Sequence, residues 1–335
     1  MERILITGAS GFIGSHLVEK ALELGMETFA GVRKTSNRKY LTHPAIKIVE
    51  LDFNRPDSIR KLLKEYAFDY VIHNAGTTHA PVLNTYLQVN CGNLQTLVEI
   101  LQEEQIPVQK LVYMSSLAAF GPNEYHNHQQ ITEQSQPHPV TFYGKSKLQA
   151  EEYLKSQTIP YVIIRPSAVY GPRDVEFNTV YKSIEAGIEI YVTRKKQKLS
   201  FIYVEDLTDA IFKSLNGPDR SCYFVSDGKT YTLQEFYRTI KTILNKKTIP
   251  IYFPVQLVRL AALFNELTGK ILHHYPFFNR DKVKELSASG WDCDIKSLTD
   301  QTGFTPNYNL QQGLQKTLTD YRSINKKNHK KPVNQ

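Results

Sequence analysis

Residues 4–15 read Ile-Leu-Ile-Thr-Gly-Ala-Ser-Gly-Phe-Ile-Gly-Ser. A short apolar run ends at Thr7, glycines follow at positions 8, 11 and 14, and a helical pattern begins near residue 13. Each glycine has its own physical task. Gly8 permits a tight turn out of the strand, Gly11 lets backbone N–H groups approach a pyrophosphate, and Gly14 lets helix pack on strand. The helix would then point its positive end at the anion, with Phe12 and Ile13 in its first turn. Glycines also mark ordinary turns, so such a trio counts only in context. Here the strand before it and the amphipathic helix after it supply that context, and the stretch predicts a dinucleotide crevice.

The pattern around this stretch predicts the architecture. Apolar, β-branched runs occur at 4–7, 28–32, 46–51, 70–73, 111–114 and 161–164, and helix-like segments lie near 13–24, 57–66, 83–104 and 143–157. Apolar strands alternating with helices imply an α/β fold, a doubly wound parallel Rossmann sheet with both faces covered. We expect residues 1–166 to form this domain, with returning elements from about 200–226. Residues 167–325 read as a smaller, interleaved C-terminal substrate-binding lobe of mixed structure, and 326–335 as a basic flexible tail. Val255–Leu272 is amphipathic at helical spacing and carries Arg259, Glu266 and Lys270, which predicts a packed surface helix rather than a membrane anchor.

Composition narrows the class. The chain has 335 residues, 41% hydrophobic and 22% charged, enough for an ordinary core. No apolar run reaches the roughly 20 residues that span a bilayer. Met1-Glu2-Arg3 leads straight into the first strand and leaves no room for a signal peptide. The three cysteines, at 91, 222 and 293, form no CxxC pair, so neither a metal site nor a disulfide framework is expected and a cytoplasmic location is. The net charge of +8 is concentrated partly at 194–198 and 326–331, where a solvated loop and a disordered tail account for it without nucleic acid.

The chemistry is expected from Tyr143-Gly144-Lys145-Ser146-Lys147, at the start of a helical segment. Positions i and i+4 share a helix face, so Tyr143 and Lys147 can enter one site. A phenol near pKa ~10 is a poor acid or base at neutral pH, and a neighbouring ammonium would lower it. Tyr143 could then exchange a proton with a substrate oxygen while hydride moves on carbon. The apolar strand 111–114 runs into Ser115-Ser116, hydroxyls at the carboxyl end of a parallel strand, where such sheets bind ligands.

Taken together, the TGxxGxxG stretch with Phe12-Ile13 inside it, the serine region and YxxxK resemble the extended short-chain dehydrogenase/reductase superfamily. That group includes the NAD-dependent epimerase/dehydratase family and relatives like dihydroflavonol reductases and 3β-hydroxysteroid dehydrogenases. Aligned on Gly121, the resemblance makes Ser116 the active serine, with Ser115 as runner-up, beside Tyr143 and Lys147. It also implies cofactor contacts from Asp52-Phe53, from Asn74-Ala75-Gly76 after His73, from Asn90, and from Pro166-Ser167 within an RPxxVYGPR-like segment, 165–173. Tyr143 and Lys147 would contact the cofactor as well. Phe201-Ile202-Tyr203-Val204-Glu205-Asp206-Leu207 resembles the family's YVxDL segment. Asn74 and Asn90 could instead merely satisfy backbone groups, His73 could be a packed histidine, and Asp206 could only start a helix.

Two departures bear on substrate and cofactor. Many NAD-preferring relatives end the second strand with an acid that holds the ribose 2′-OH, whereas this chain has Val32 and then Arg33. A guanidinium would pair with a 2′-phosphate, so NADP(H) is favoured, with NAD(H) as the other option. Sugar-nucleotide enzymes of the family typically carry an Arg-Asp pair where this chain has Leu199-Ser200. An NAD(P)-dependent oxidoreductase moving a hydride between nicotinamide and a secondary alcohol or carbonyl compound is therefore the leading expectation. A nucleotide-sugar 4-epimerase or dehydratase is the alternative, its diphosphate held by Arg173 or the lysines at 195–198. An apolar substrate body is suggested by Phe253, Phe264, Tyr275, Phe277 and Phe278, most of which also read as core. Partners are expected to be small molecules, with no membrane span and a homodimer allowed.

Overall fold

The computed structural model describes residues 1–123, 129–271, 276 and 278–329. Six strands, β1 (Arg3–Thr7), β2 (Glu27–Val32), β3 (Lys47–Glu50), β4 (Tyr70–His73), β5 (Lys110–Met114) and β6 (Tyr161–Pro166), interleave with α1 (Phe12–Glu23), α2 (Pro56–Tyr66), α3 (Leu83–Leu87), α4 (Asn93–Glu103) and α5 (Phe142–Lys155). Then follow β7 (Ala168–Tyr170), α6 (Asn178–Glu185), β8 (Ile188–Tyr191), β9 (Lys198–Leu199), β10 (Phe201–Tyr203), α7 (Val204–Ser214) and β11 (Ser221–Val225). The remaining elements are β12 (Tyr231–Thr232), α8 (Leu233–Leu244), β13 (Ile249–Tyr252), α9 (Val255–Ile271), α10 (Arg280–Leu286), β14 (Gly290–Trp291), α11 (Lys296–Thr302) and α12 (Leu310–His329).

The main sheet has the order β11-β6-β5-β4-β1-β2-β3, and all its pairs are parallel. The strand order reverses between β1 and β4, which opens a crevice at their carboxyl ends. Successive strand residues feed opposite faces. Ile4, Ile6, Ile72, Val112 and Ile164 join Leu17, Val18, Leu207 and Ile211 of α1 and α7. Leu5, Val71, Leu111, Tyr113 and Ile163 join Ile59, Leu63, Leu97 and Leu154 of α2, α4 and α5. Burial on both faces explains why these strands read as continuous apolar runs, and each large side chain so buried contributes about 1.5–3 kcal/mol. A third core, rich in Tyr and Phe, packs α6, α8 and α12 around β7 and β10.

Three expectations need correction. The helix expected over 83–104 is interrupted by a π-helical turn at Gln88–Gly92. The expected tail begins as helix, because α12 continues to His329, while 330–335 lie outside the described residues. The helix α9 forms where expected but is not packed all round. Its Leu257, Leu260, Leu263, Phe264 and Leu267 are exposed. Phe253 and Phe264 are thus not core, and Tyr275 and Phe277 lie outside the described residues.

Candidate active site

β1 ends in Gly8, whose φ of +67° favours glycine. A Cβ there would lie 2.9 Å from the backbone of Ala75, so Gly8 lets the β1 turn touch the turn after β4. At Gly14 a Cβ would lie 2.1 Å from Gly8 O, so α1 packs on the strand only without one. Gly11 differs: its Cβ would meet a single atom, Gly8 O, at 3.4 Å. The fold itself makes little use of this glycine. Gly11 is also the N-cap of α1, and no side chain caps the helix there, so its first-turn N–H groups are left without a side-chain cap.

The crevice continues across the strand ends. Thr7 Oγ accepts from Ala75 N–H (3.0 Å) and contacts His73 Nδ1 (3.2 Å). Burial lowers the His73 pKa to about 3, and its ring lies edge-on to Phe53 (5.7 Å). Half-buried Asn74, exposed Gly76 and half-buried Asp52 line the same end of the sheet. The Asp52 carboxylate accepts from Asn54 N–H (3.0 Å) and pairs with Arg55 (3.2 Å). Val32 is core, and exposed Arg33 follows it beside the glycine turn, where Ala9 N–H donates to Gly31 O (3.3 Å). Pro166 ends β6. The next residue, Ser167, is buried, and its hydroxyl has no partner among the described residues. An unneeded glycine, an uncapped helix start and an orphaned buried hydroxyl fit a dinucleotide.

Ser116 caps the 3₁₀ turn Leu117–Ala119 after β5, its Oγ accepting from Ala118 N–H (3.1 Å). Tyr143 lies in the first turn of α5, its hydroxyl near enough to Ser116 for that side chain to act on its pKa. Ser115, the runner-up, points elsewhere and donates to Glu151 (2.5 Å), deep in the core. Lys147 Nζ donates to Met114 O (2.6 Å) and lies 5.9 Å from the Tyr143 ring centre. Thus Ser116, Tyr143 and Lys147 converge as expected.

The electrostatics depart from expectation. Burial raises the Tyr143 pKa, the neighbouring Ser116 side chain opposes this without overcoming it, and Glu176 and Glu285 push the same way as burial. Lys147 does not overcome this, because burial pulls its own pKa down to about 7. Tyr143 is therefore a neutral hydroxyl, suited to donating its proton to a substrate oxygen as negative charge develops there.

Thr141 and Glu151 were not singled out in the sequence, and Gly144, Asn90 and Asp206 have structural tasks that the sequence did not settle. A Cβ on Gly144 would lie 2.2 Å from Ala118 O, so this glycine lets α5 abut the Ser116 turn. Thr141 caps α5 by accepting from Gly144 N–H (3.0 Å). Glu151, one helical turn beyond Lys147, accepts from the Arg165 Nη2 (2.7 Å) and Nε (3.0 Å) groups and ties α5 to β6. Asn90 is fully buried: its amide donates to Thr77 O and Ser146 Oγ and its Oδ1 accepts from Thr77 N–H. It positions the Gly76 loop and α5 and spends its hydrogen bonds doing so. Asp206 does more than start α7, since it accepts from the Asn307 and Tyr308 N–H groups.

Of the cations expected to hold a diphosphate in the alternative, Arg173 or the lysines at 195–198, the first is held by α1. Arg173 turns back to α1, donating to Ser15 (3.0 Å), pairing with Glu19 and packing over Tyr40. Leu199 packs against the lobe's aromatic core, and Ser200 is buried with its hydroxyl donating to Lys229 O (3.3 Å).

A model of the NAD dependent epimerase/dehydratase family matches residues 4–223. A UDP-glucose 4-epimerase of Vibrio cholerae is 27% identical, over 96% of this chain and 96% of that one. A ceramide reductase of Caulobacter vibrioides is 23% identical, over 96% and 94%. Among solved structures, a UDP-glucose 4-epimerase of Thermotoga maritima with UDP-glucose superposes with a TM-score of 0.78 at 20% identity, over 96% and 99%. That superposition concerns the fold.

Proposed function

This chain belongs to the NAD dependent epimerase/dehydratase family, and on that premise we propose that it oxidises and re-reduces a secondary carbinol carbon, with 4-epimerisation of a glycosyl diphosphate as the net reaction. The observation that carries the chemistry is the placement of Tyr143 and Ser116 together at the carboxyl end of β5, with Lys147 beside them, hydrogen-bonded to Met114 O and 5.9 Å from the Tyr143 ring centre. Likeness to a 4-epimerase through both halves of the chain supports the substrate class. A bound nicotinamide dinucleotide would supply the hydride acceptor and donor. Gly11 and the α1 N-terminus would hold its pyrophosphate, and Ser167 would lie near its reactive ring. Ser116 would hydrogen-bond the substrate oxygen, and Tyr143, a neutral hydroxyl without cofactor, would need the positive charge of an oxidised nicotinamide to favour its phenolate, which would take the proton on oxidation and return it on reduction. We place the cofactor domain at 1–166 plus the returning 200–226, in a reducing cytoplasm that suits free Cys91, Cys222 and Cys293.

One observation favours a second reading, an NADP(H)-dependent carbonyl reductase. Buried Val32 and exposed Arg33 replace an acid at the end of β2, and a reductase is among the relatives. Turnover separates the two. An epimerase inverts a glycosyl diphosphate with no net change in dinucleotide, read by chromatography of the product. A reductase consumes one NADPH per carbonyl reduced. Stoichiometric NADPH oxidation with no epimer formed from UDP, dTDP or GDP sugars would overturn the first reading.

A further inference from the structure

The face built by β8, β13 and α9 is apolar, exposed and rimmed by cations. In the parallel β8–β13 pair, Ile249 aligns with Ile188 and Ile251 with Ile190, so these four share one face. Ile190, Ile249 and Ile251 are exposed, Ile249 at 71%. Two residues, Phe253 and Pro254, then lead into α9. Along α9, Val255, Val258, Ala262 and Asn265 form the inward stripe, with Ala262 fully buried. Leu257, Leu260, Ala261 and Phe264 recur at three- and four-residue spacing on the opposite side, with Leu267 beside them. Leu260 is 62% exposed and Phe264 70%. These are two exposed apolar surfaces, joined in the chain by Phe253 and Pro254, and exposed apolar surface of this kind marks an interaction site.

Among the described residues the exposed charges around it are mostly cationic, while Glu266 and Glu189 are paired with Arg280 and Lys241. Exposed Lys246 and Lys247 precede β13, exposed Arg259 flanks the α9 stripe, and exposed Arg194 and Lys196 lie past the other end of the sheet. The Arg194 guanidinium packs over Tyr252 (5.4 Å), which stacks on Tyr191 (4.9 Å), so it meets the edge of the sheet from the side opposite the isoleucines. Between Lys246 and Ile271 the one carboxylate is Glu266, and it is paired with Arg280 (2.9 Å). A second copy seated by two-fold symmetry would bring this cationic rim against itself. Anionic lipid headgroups complement it, while the leucines, isoleucines and phenylalanines enter the acyl boundary.

We propose that the β8–β13 sheet and the outer stripe of α9 dock this protein on an anionic lipid bilayer. Docking is superficial: among the described residues no helix is long and apolar enough to cross a membrane. The face also has a short route to the chemistry. Asn265 of α9 donates to Phe278 O (2.8 Å), and Asp281 of α10 accepts from Phe142 N–H (2.5 Å), next to Tyr143. This inference does not rest on the choice between epimerase and reductase.

Co-sedimentation with vesicles tests it, using the full chain, phosphatidylcholine alone and phosphatidylcholine with about 30 mol% phosphatidylglycerol. The wild type should bind the mixed vesicles at least about tenfold more tightly than the neutral ones at low salt, since several cations face the headgroups. The double variant L260D/F264D should weaken binding by about tenfold or more, because two large apolar groups leave the lipid and two anions enter. K246E/K247E should remove the preference for phosphatidylglycerol. Both variants change exposed residues, so unchanged melting and unchanged NADH or NADPH affinity would show that the fold is intact. Failure of the wild type to bind either vesicle would overturn the proposal. So would a concentration-dependent dimer in light scattering that L260D/F264D abolishes, since the face would then belong to a second copy.

Discussion

Replacing Gly11 and Gly14 by alanine, one at a time, separates what the ligand needs from what the fold needs. At Gly14 the new Cβ would stand 2.1 Å from Gly8 O, 2.8 Å from Gly8 C and 2.9 Å from Ala9 Cα. All three are backbone atoms, so relief requires α1 to recede by roughly 1 Å, and overpacking of this kind costs about 1–3 kcal/mol. A drop in Tm of roughly 2–10 °C follows for a chain of this size. At Gly11 the backbone is extended (φ −78°, ψ 178°) and the one neighbour lies at 3.4 Å. Alanine is a poorer N-cap than glycine by roughly 0.5–1 kcal/mol. Restricting the unfolded chain returns roughly 0.4–1 kcal/mol, so the two effects nearly cancel and Tm should move little. Binding should not be spared, because the methyl stands over the open N–H groups of the first turn. Loss of one charge-assisted hydrogen bond to a pyrophosphate, about 1.5–3 kcal/mol, weakens affinity about 10- to 100-fold. Isothermal calorimetry with NADH and NADPH, alongside differential scanning calorimetry, reads both effects. Wild-type affinity in Gly11→Ala, or a wild-type Tm in Gly14→Ala, would show that these glycines have been given the wrong tasks.

Three further outcomes are expected. Tyr143→Phe should lower turnover of any substrate by about 10²- to 10⁴-fold while leaving dinucleotide affinity nearly unchanged, and near-wild-type turnover would remove Tyr143 from the proton path. Arg33→Ala should weaken NADPH more than NADH, by about 10- to 100-fold if the guanidinium holds a 2′-phosphate, and equal losses would show that Arg33 does not discriminate. Lys147 binds its proton at about pH 7 when folded, against an ordinary value of 10.5, so between those values the unfolded chain holds more protons and stability rises with pH. Below about pH 7 both states are protonated and the full penalty persists, so Lys147→Met should flatten the rise in Tm from pH 7 to 10, and an unchanged slope would contradict the burial argument.

The sheet was legible because burial on both faces writes each strand as an unbroken apolar run, as in 70–73 and 111–114. The glycine turn and the shared face of Tyr143 and Lys147 were legible from strand and helix spacing, whereas only the family resemblance prefers Ser116 to Ser115. What escaped was information held between distant residues. The π turn at Gln88–Gly92 inserts one residue into a helical ladder and leaves no mark on the amphipathic pattern. Asn90 could be read as a ligand contact, and only its three partners show where its hydrogen bonds go. The Tyr143 pKa was expected to fall because a lysine lay four residues on, but desolvation acts on both groups and depends on everything packed around them. In α9 an apolar stripe looks the same in sequence whether it faces a core or the outside, and Leu260 and Phe264 face outside.

The supports of Tyr143 come from both halves of the molecule, and this bears on how substrate choice meets chemistry. From the sheet side, Gly144 lies against Ala118, and Glu151 is held by Arg165. From the lobe side, Asp281 of α10 accepts the Phe142 N–H. The same seven-residue helix carries Glu285, whose carboxylate raises the Tyr143 pKa and is engaged by Lys282 (2.8 Å). A substrate that drew Lys282 away would leave Glu285 less neutralised and hold the Tyr143 proton more firmly. One that brought a cation to Glu285 would do the reverse. α10 therefore helps to fix the Tyr143 backbone and biases the proton affinity of its hydroxyl, and both influences run through the C-terminal lobe.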